Sequence, residues 1–308
     1  MLDFKTICRY MVWRALRRYD TPRRMVKAVS FLKPLPITTK AHEYEVYFLT
    51  GARHWYKTVF CAYSFLHAAA MNVRPVIFDD GTLVDEQKDE LLRVLPSCRI
   101  VESGRVEAWL DQVLPRGRFP ALRSRRDELR VFRKLTDFHA GCSGWKLFLD
   151  SDMLFFRLPA TLTDWLRQPR GCICMKDVET CYGYSTEHMS SLTGHSIPDR
   201  VNTGILGMHS EAIDWERFEW WARQLFEREG LKYYLDQALF AMHMSQRAYS
   251  ICDATEYVVY PTRREAVRPT AIMHHYVGGS RVWYHRFAWR HVLRQQSQLA
   301  NTPGEDSA

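Results

Sequence analysis

No stretch of this sequence reaches the roughly 20 consecutive apolar residues that a membrane-spanning helix needs, and its Arg-rich start has no apolar h-region of the kind a signal peptide carries. A spanning or exported chain is therefore not expected, and a cytoplasmic one is. Cysteines stand at positions 8, 61, 98, 142, 172, 174, 181 and 252 without a CxxC pair or other zinc spacing, so reduced structural thiols are predicted. Internal repeats and low-complexity tracts are also missing, which excludes solenoid architectures. Acids are scarce at the start: residues 1–40 hold ten Lys or Arg against Asp3 and Asp20, a surplus of eight that equals the formal charge of the whole chain. The remainder is close to neutral. A nucleic-acid partner is not expected, because such proteins spread basic charge over the folded face that meets the phosphates. Within the arm, Ile7, Tyr10, Met11, Trp13, Leu16 and Tyr19 interleave with Arg9, Arg14, Arg17 and Arg18. That pattern fits a basic amphipathic helix lying peripherally on the inner face of an anionic membrane, or one packed on its own domain.

What is present is the composition of a globular protein: 308 residues, 46% hydrophobic and 25% charged, enough for one large domain. Three regions are expected: the basic arm 1–40, a single α/β domain 41–295, and a disordered polar tail 296–308. From residue 44 short β-rich runs alternate with helical stretches, the pattern of a mixed, mostly parallel sheet flanked by helices. Strands are predicted at Tyr44–Thr50, Val73–Phe78, Cys98–Glu102, Trp145–Leu149, Cys172–Lys176, Val201–Met208 and near Ile272–Tyr276. Helices are predicted through Tyr56, Phe60, Tyr63 and Leu66, at Asp85–Leu95, over Pro120–His139 and over Glu211–Arg228.

The strand Trp145–Leu149 runs directly into Asp150-Ser151-Asp152. An apolar strand ending in two carboxylates one residue apart sets both at the carboxyl edge of the sheet, where α/β proteins bind ligands. Hard oxygen ligands there suit Mn²⁺ or Mg²⁺, which complete their shells with water and substrate phosphates. A cation of this kind stabilises the charge that develops on a departing diphosphate.

Leu-Phe-Leu-Asp-Ser-Asp-Met-Leu-Phe resembles the DxD segment of GT-A nucleotide-diphospho-sugar transferases, in particular the retaining family 8 group that includes lipopolysaccharide galactosyl- and glucosyltransferases and glycogenin. Three more motifs follow in that family's order. Val201-Asn202-Thr203-Gly204-Ile205 resembles its FNxGV segment, Tyr234-Leu235-Asp236-Gln237 its LDQ segment, and His275 to Trp283 its HFxGxxKPW segment. The resemblance spans roughly residues 44–285, with Arg281 and Val282 departing from the family's Lys and Pro. It implies a metal-dependent hexosyltransferase that moves sugar from a nucleotide-diphosphate donor, a UDP-sugar favoured, to a saccharide or glycolipid acceptor in polysaccharide biosynthesis, with retention.

The resemblance further implies a metal held by Asp150, Asp152 and His275, with Asp150 also touching the donor. A neutral imidazole ligates Mn²⁺ beside carboxylates, and of the two adjacent histidines the spacing to Gly278 favours His275 over His274. Arg281 is the expected diphosphate clamp, and Gly278 lets backbone approach phosphate. Arg133, seventeen positions before Asp150, matches a donor-contacting Arg, with Lys134 taking the role if the helix is rotated. Asn202 and Gly204 are expected to border the sugar, and Asp236 and Gln237 to lie beneath it as the catalytic pair, with Asp236 alternatively capping the helix through Phe240. Thr50, Gly51 and Arg53, at the end of the first strand, are expected to line the base pocket. Asp79 and Asp80 read as a turn. Two rivals remain: a sugar-phosphate nucleotidyltransferase, for which Thr50-Gly51-Ala52-Arg53 is poor in glycine, and a non-catalytic protein that binds membrane or nucleic acid through the basic arm.

Overall fold

The computed structural model describes residues 21–36 and 42–299. The expected helix over residues 7–19 lies outside them. Among the described residues, no helix is long and apolar enough to cross a membrane.

Strands β1 (Tyr44–Thr50), β2 (Val73–Asp79), β3 (Arg99–Val101), β4 (Trp145–Leu149), β6 (Cys172–Lys176), β7 (Val201–His209) and β8 (Tyr249–Ile251) form one sheet in the order β3-β2-β1-β4-β7-β6-β8. β3, β2, β1 and β4 are mutually parallel, and β7 alone runs against its neighbours β4 and β6. A small sheet of β5 (Met153–Phe155), β10 (Met273–His275) and β9 (Tyr257–Val259) stands beside it. β5 and β10 are antiparallel, with His275 opposite Met153. That pairing brings His275 to the Asp150-Ser151-Asp152 turn.

Alternation along the strands feeds two cores. Val46, Phe48, Leu147, Leu149 and Ile205 pack on one face, and Tyr47, Phe148, Leu206 and Met208 on the other, as period-2 side-chain geometry requires. The first face is covered by α1 (Thr21–Val29) and α2 (Trp55–Ala69). Around the sheet lie α3 (Asp85–Val94), α4 (Ser103–Val113), α5 (Pro120–Glu128), α6 (Arg133–Thr136), α7 (Ala160–Arg167) and α8 (Thr186–Thr193). α9 (Trp215–Glu229) and α10 (Leu235–Met244) cover the second face, α11 (Arg263–Val267) follows, and α12 (Trp289–Leu299) closes the chain against α2. α10 buries all ten of its residues, which fits a sequence that is apolar apart from Asp236, Gln237 and His243.

Several boundaries differ from the expected ones. The helix over Pro120–His139 is broken at Leu129, which is extended, and resumes through a 3-10 turn at Arg130–Phe132. Packing explains the break: Arg126 grips the buried Asp137 at 2.6 and 3.0 Å, which a continuous helix would carry out of reach. The Glu211–Arg228 helix begins at Trp215, because the Asp214 carboxylate accepts from the Arg217 amide and caps it. The arm is not separate from the domain over its second half, since Met25, Val29 and Leu32 are buried in the core. The tail likewise starts later than 296: Gln296 lies in α12, and its side chain accepts from the Lys33 amide at 2.8 Å.

Candidate active site

The carboxyl ends of β1, β2 and β4 meet the start of the reversed β7 at one edge of the sheet. Asp150 is tied there by its amide, which donates to Gly204 O at 2.8 Å, and Asp152 by its carbonyl, which accepts from the Tyr276 amide at 2.9 Å. These two bonds join the Asp150-Ser151-Asp152 turn to β7 on one side and to the end of β10 on the other.

His275 Nε2 lies 3.1 Å from Asp152 Oδ1 and 3.7 Å from Asp150 Oδ2. One ligand atom from each residue falls within 4.8 Å of the other two, the single group of this kind among the described residues. Gly204 makes room for the imidazole, since a β-carbon there would meet His275 Cε1 at 2.5 Å. His274 faces away, with Nδ1 3.0 Å from Tyr276 Oη and its ring against Phe156.

The electrostatics fit a cation. Burial raises the Asp150 carboxyl above its ordinary value, and the nearby Asp152 and Asp236 add to this, so that Lys134 and His275 do not bring it back. Asp152 also suffers burial, but the hydrogen bond and charge of His275, with Lys57 and Arg281, hold its carboxyl well below the usual range. Two carboxylates and an imidazole within reach of one point, one of them short of positive charge, are a donor set that accepts Mn²⁺ or Mg²⁺.

Behind this triad Lys134, buried at 3% exposure, sets its ammonium 3.1 Å from Asp236 Oδ2 and 3.8 Å from Asp150 Oδ2. Burial works against that charge, yet the two carboxylates outweigh it and raise the lysine above its ordinary value. Arg133 donates to Asp80 O at 2.7 Å, beside Gly51, and Lys134 at the next position reaches the two carboxylates. Asp236 accepts from Lys134 and from Thr203 Oγ1 at 3.2 Å and does not cap its helix, whose cap residue is Tyr234.

Gln237 donates its amide to Cys181 O at 3.0 Å, which leaves the carbonyl end of the side chain for a ligand. Asn202 is more committed: it donates to Asp177 Oδ2 at 2.8 Å and accepts from the Gly204 amide at 2.8 Å, so one N–H and one lone pair remain for a sugar hydroxyl. Arg281, half exposed, lies 3.4 Å from Asp152 Oδ2 at the open side. Gly278 has φ +51°, a backbone conformation that favours glycine. Thr50 is buried and accepts from Thr58 Oγ1 at 2.8 Å, Gly51 packs against the Asp80 carboxylate, and Arg53 is exposed beyond them. Asp79 accepts from the amides of Gly81, Thr82 and Leu83, the turn expected of it.

Sequence reasoning passed over one group. Lys57, in the first turn of α2, is buried at 6% exposure and lies within electrostatic reach of Asp152 and Arg281. Its position in an otherwise apolar helix is the one signal that could have marked it.

No family model and no curated protein matches the sequence. Solved structures do match the fold. The galactosyltransferase LgtC in complex with donor and acceptor sugar analogs aligns with a TM-score of 0.51 at 14% identity, over 85% of this chain and 98% of its own. Mouse xyloside xylosyltransferase 1, in its apo form, gives 0.52 at 12% identity, over 75% and 97%. The WbbM bifunctional glycosyltransferase, also apo, gives 0.52 at 13% identity, over 86% of this chain and 53% of that one. At such identities the likeness speaks for architecture alone. This chain has the GT-A fold, a mostly parallel sheet whose carboxyl edge carries Asp150, Asp152 and His275.

Proposed function

We propose that this protein is a glycosyltransferase that moves a hexose from a nucleotide-diphosphate sugar to a saccharide or glycolipid acceptor with the help of a divalent metal. One observation carries the reading: two carboxylates and an imidazole converge within 4.8 Å at the carboxyl edge of a GT-A sheet. Asp150, Asp152 and His275 would hold Mn²⁺ or Mg²⁺. When bound, such a cation supplies charge stabilisation to the leaving diphosphate in a site sheltered from water.

The chain's own groups divide the remaining work. Arg281 is placed on the open side to take phosphate oxygens in a bidentate pair, a geometry that Lys in its place would not offer. Lys134 sets its ammonium between Asp236 and Asp150 and holds the two carboxyl groups in place. Gln237 presents a carbonyl oxygen towards the sugar and is a poor nucleophile, which favours front-face substitution with retention over a covalent sugar–enzyme species. Its oxygen then acts as a dipole beside the positive charge that grows on the anomeric carbon. UDP is the favoured nucleotide on the family resemblance.

The test is a thermal-shift series on wild type and Asp152→Asn with UDP, GDP, CMP and their common sugar conjugates, with and without Mn²⁺. A ligand at a hundred times its Kd stabilises the native state by about 2.7 kcal/mol, a shift of several degrees. A Mn²⁺-dependent shift with one nucleotide series, lost in Asp152→Asn, supports the proposal and names the donor. No shift with any nucleotide sinks it and returns the basic-arm binding protein as the better reading.

A further inference from the structure

The ammonium of Lys57 makes no hydrogen bond and no ion pair among the described residues, although 94% of its residue surface is buried. Its contact is with the ring of Tyr284, 5.6 Å from the centroid. A mostly buried cation without a hydrogen-bonded counter-ion is costly, and at the edge of a cleft it marks a candidate ligand contact. Beside it, Tyr284 Oη and His285 Nδ1 are buried without partners.

Lys57 is held in place from two sides. α2 follows β1 after a four-residue turn, so its first turn lies at the edge where Asp150 and Asp152 sit. One turn on, Cys61 Sγ donates to Asp150 O at 3.4 Å, and Thr58 donates to Thr50 at 2.8 Å. Burial pulls the Lys57 pKa down, Asp152 pushes it up, and Arg281 and Arg53 pull it down again, so the lysine lies in the field of the same site charges as the arginine.

Charge in the site is balanced in an informative way. Three cations (Lys57, Lys134, Arg281) face three carboxylates (Asp150, Asp152, Asp236), which leaves the protein groups neutral as a set. A divalent metal brings this to two positive charges, the complement of the two negative charges on a diphosphate diester. A sugar linked through a single phosphodiester carries one negative charge and leaves one positive charge over.

We infer that Lys57 is a donor-binding residue that pairs with the diphosphate of the nucleotide sugar and selects diphosphate donors over monophosphate ones. This rests on the donor reading above and adds the group that discriminates within it. The lysine occupies the third position of α2, so its reach to the ligand is fixed by the helix and not by a mobile loop.

The experiment compares wild type, Lys57→Met and Lys57→Arg by titration with UDP, UMP, GDP, GMP, ADP and AMP in the presence of Mn²⁺, and by thermal midpoint without nucleotide. Expected for Lys57→Met is a roughly ten- to hundredfold loss of affinity for the diphosphate that wild type binds, with the matching monophosphate changed by no more than about twofold. Lys57→Arg recovers most of the affinity. The nucleotide-free midpoint of Lys57→Met rises, because an unpaired buried charge is replaced by an apolar chain of similar length; a structural lysine gives the opposite sign. Unchanged diphosphate affinity overturns the assignment, and so does an equal loss for mono- and diphosphate. Should Lys57→Met and Lys57→Gln both fail to fold, the lysine is structural and the assignment is again overturned. Wild type that binds none of the nucleotides fails the donor reading itself, an outcome read before any variant is compared.

Discussion

Gly204 lies so close beneath His275 that a β-carbon would meet the imidazole at 2.5 Å from Cε1 and 2.7 Å from Nδ1. The glycine of the motif on β7 is therefore a space requirement of a ring that enters from another sheet.

Gly204→Ala should displace that ring. Met175 Cε, at 2.8 Å from the same point, blocks the other way out, so overpacking of about 1–3 kcal/mol is expected. Nucleotide binding should lose its Mn²⁺ dependence while the protein stays folded. Measured by urea unfolding and Mn²⁺ titration, a variant with wild-type metal affinity would show that His275 does not depend on this gap.

The pair Lys134–Asp236 makes a second prediction, because both partners are buried and 3.1 Å apart. Removing one takes from the other its nearest charged partner in a buried setting, so Lys134→Met and Asp236→Asn should each cost up to about 3–5 kcal/mol. Much of that loss should be recovered in the double variant, which the double-mutant cycle reads as coupling. Additive losses would mean that each residue is held by other partners.

These two cases also mark what could be read from the residues alone. The apolar runs of β1, β4 and β7 and the turn after Leu149 were legible because period-2 burial leaves a strong trace, and because two carboxylates after a buried strand have few structural uses. Choosing between Arg133 and Lys134 was not, since one residue is about 100° of helix and the phase depends on the break at Leu129, itself made by the Arg126–Asp137 pair. β8 and β9 have three residues each, too short for alternation to register. Lys57 was passed over because a lysine in the first turn of a helix reads as a solvated one, and the packing of Tyr284 against it shows that it is not.

Two histidines away from the site should contribute to acid sensitivity. Burial pushes His139 down to about 3, with Lys146, His243 and His209 adding to it, and burial with Arg247 does the same to His243, also about 3. The unfolded chain takes up these protons near pH 6.5, whereas the folded one refuses them until about 3. Stability is thus unaffected above 6.5, falls as pH drops between 6.5 and 3, and levels off below. At pH 5 each histidine costs about 2 kcal/mol relative to pH 7. Urea unfolding of wild type and His139→Gln at pH 7 and pH 5 measures this, the variant showing a smaller drop between the two. An equal drop in both would assign the acid sensitivity elsewhere.

The last prediction concerns the basic surface. α1 and α12 pack on the same core and bring Arg24, Arg290 and Arg294 together: burial lowers the Arg290 pKa, and the charges of Arg24 and Arg294 lower it further. Phe31 is 63% exposed and Val26 39%, so exposed apolar groups and cations occur together in the described part of the segment 1–40 that holds the formal surplus of charge. That combination suits the interface of an anionic bilayer better than a polyanion in solution, which has no use for an exposed Phe. The full chain should co-sediment with vesicles containing phosphatidylserine and not with neutral ones, and binding should weaken steeply with salt, at about 1 kcal/mol per basic residue near the surface. Arg24→Glu combined with Arg294→Glu should reduce it, and Phe31→Ser should reduce it at equal charge. Binding that survives the charge reversals but is lost on removing residues 1–20 would move the contact to the arm alone, and equal partition to neutral vesicles would remove the membrane from the account.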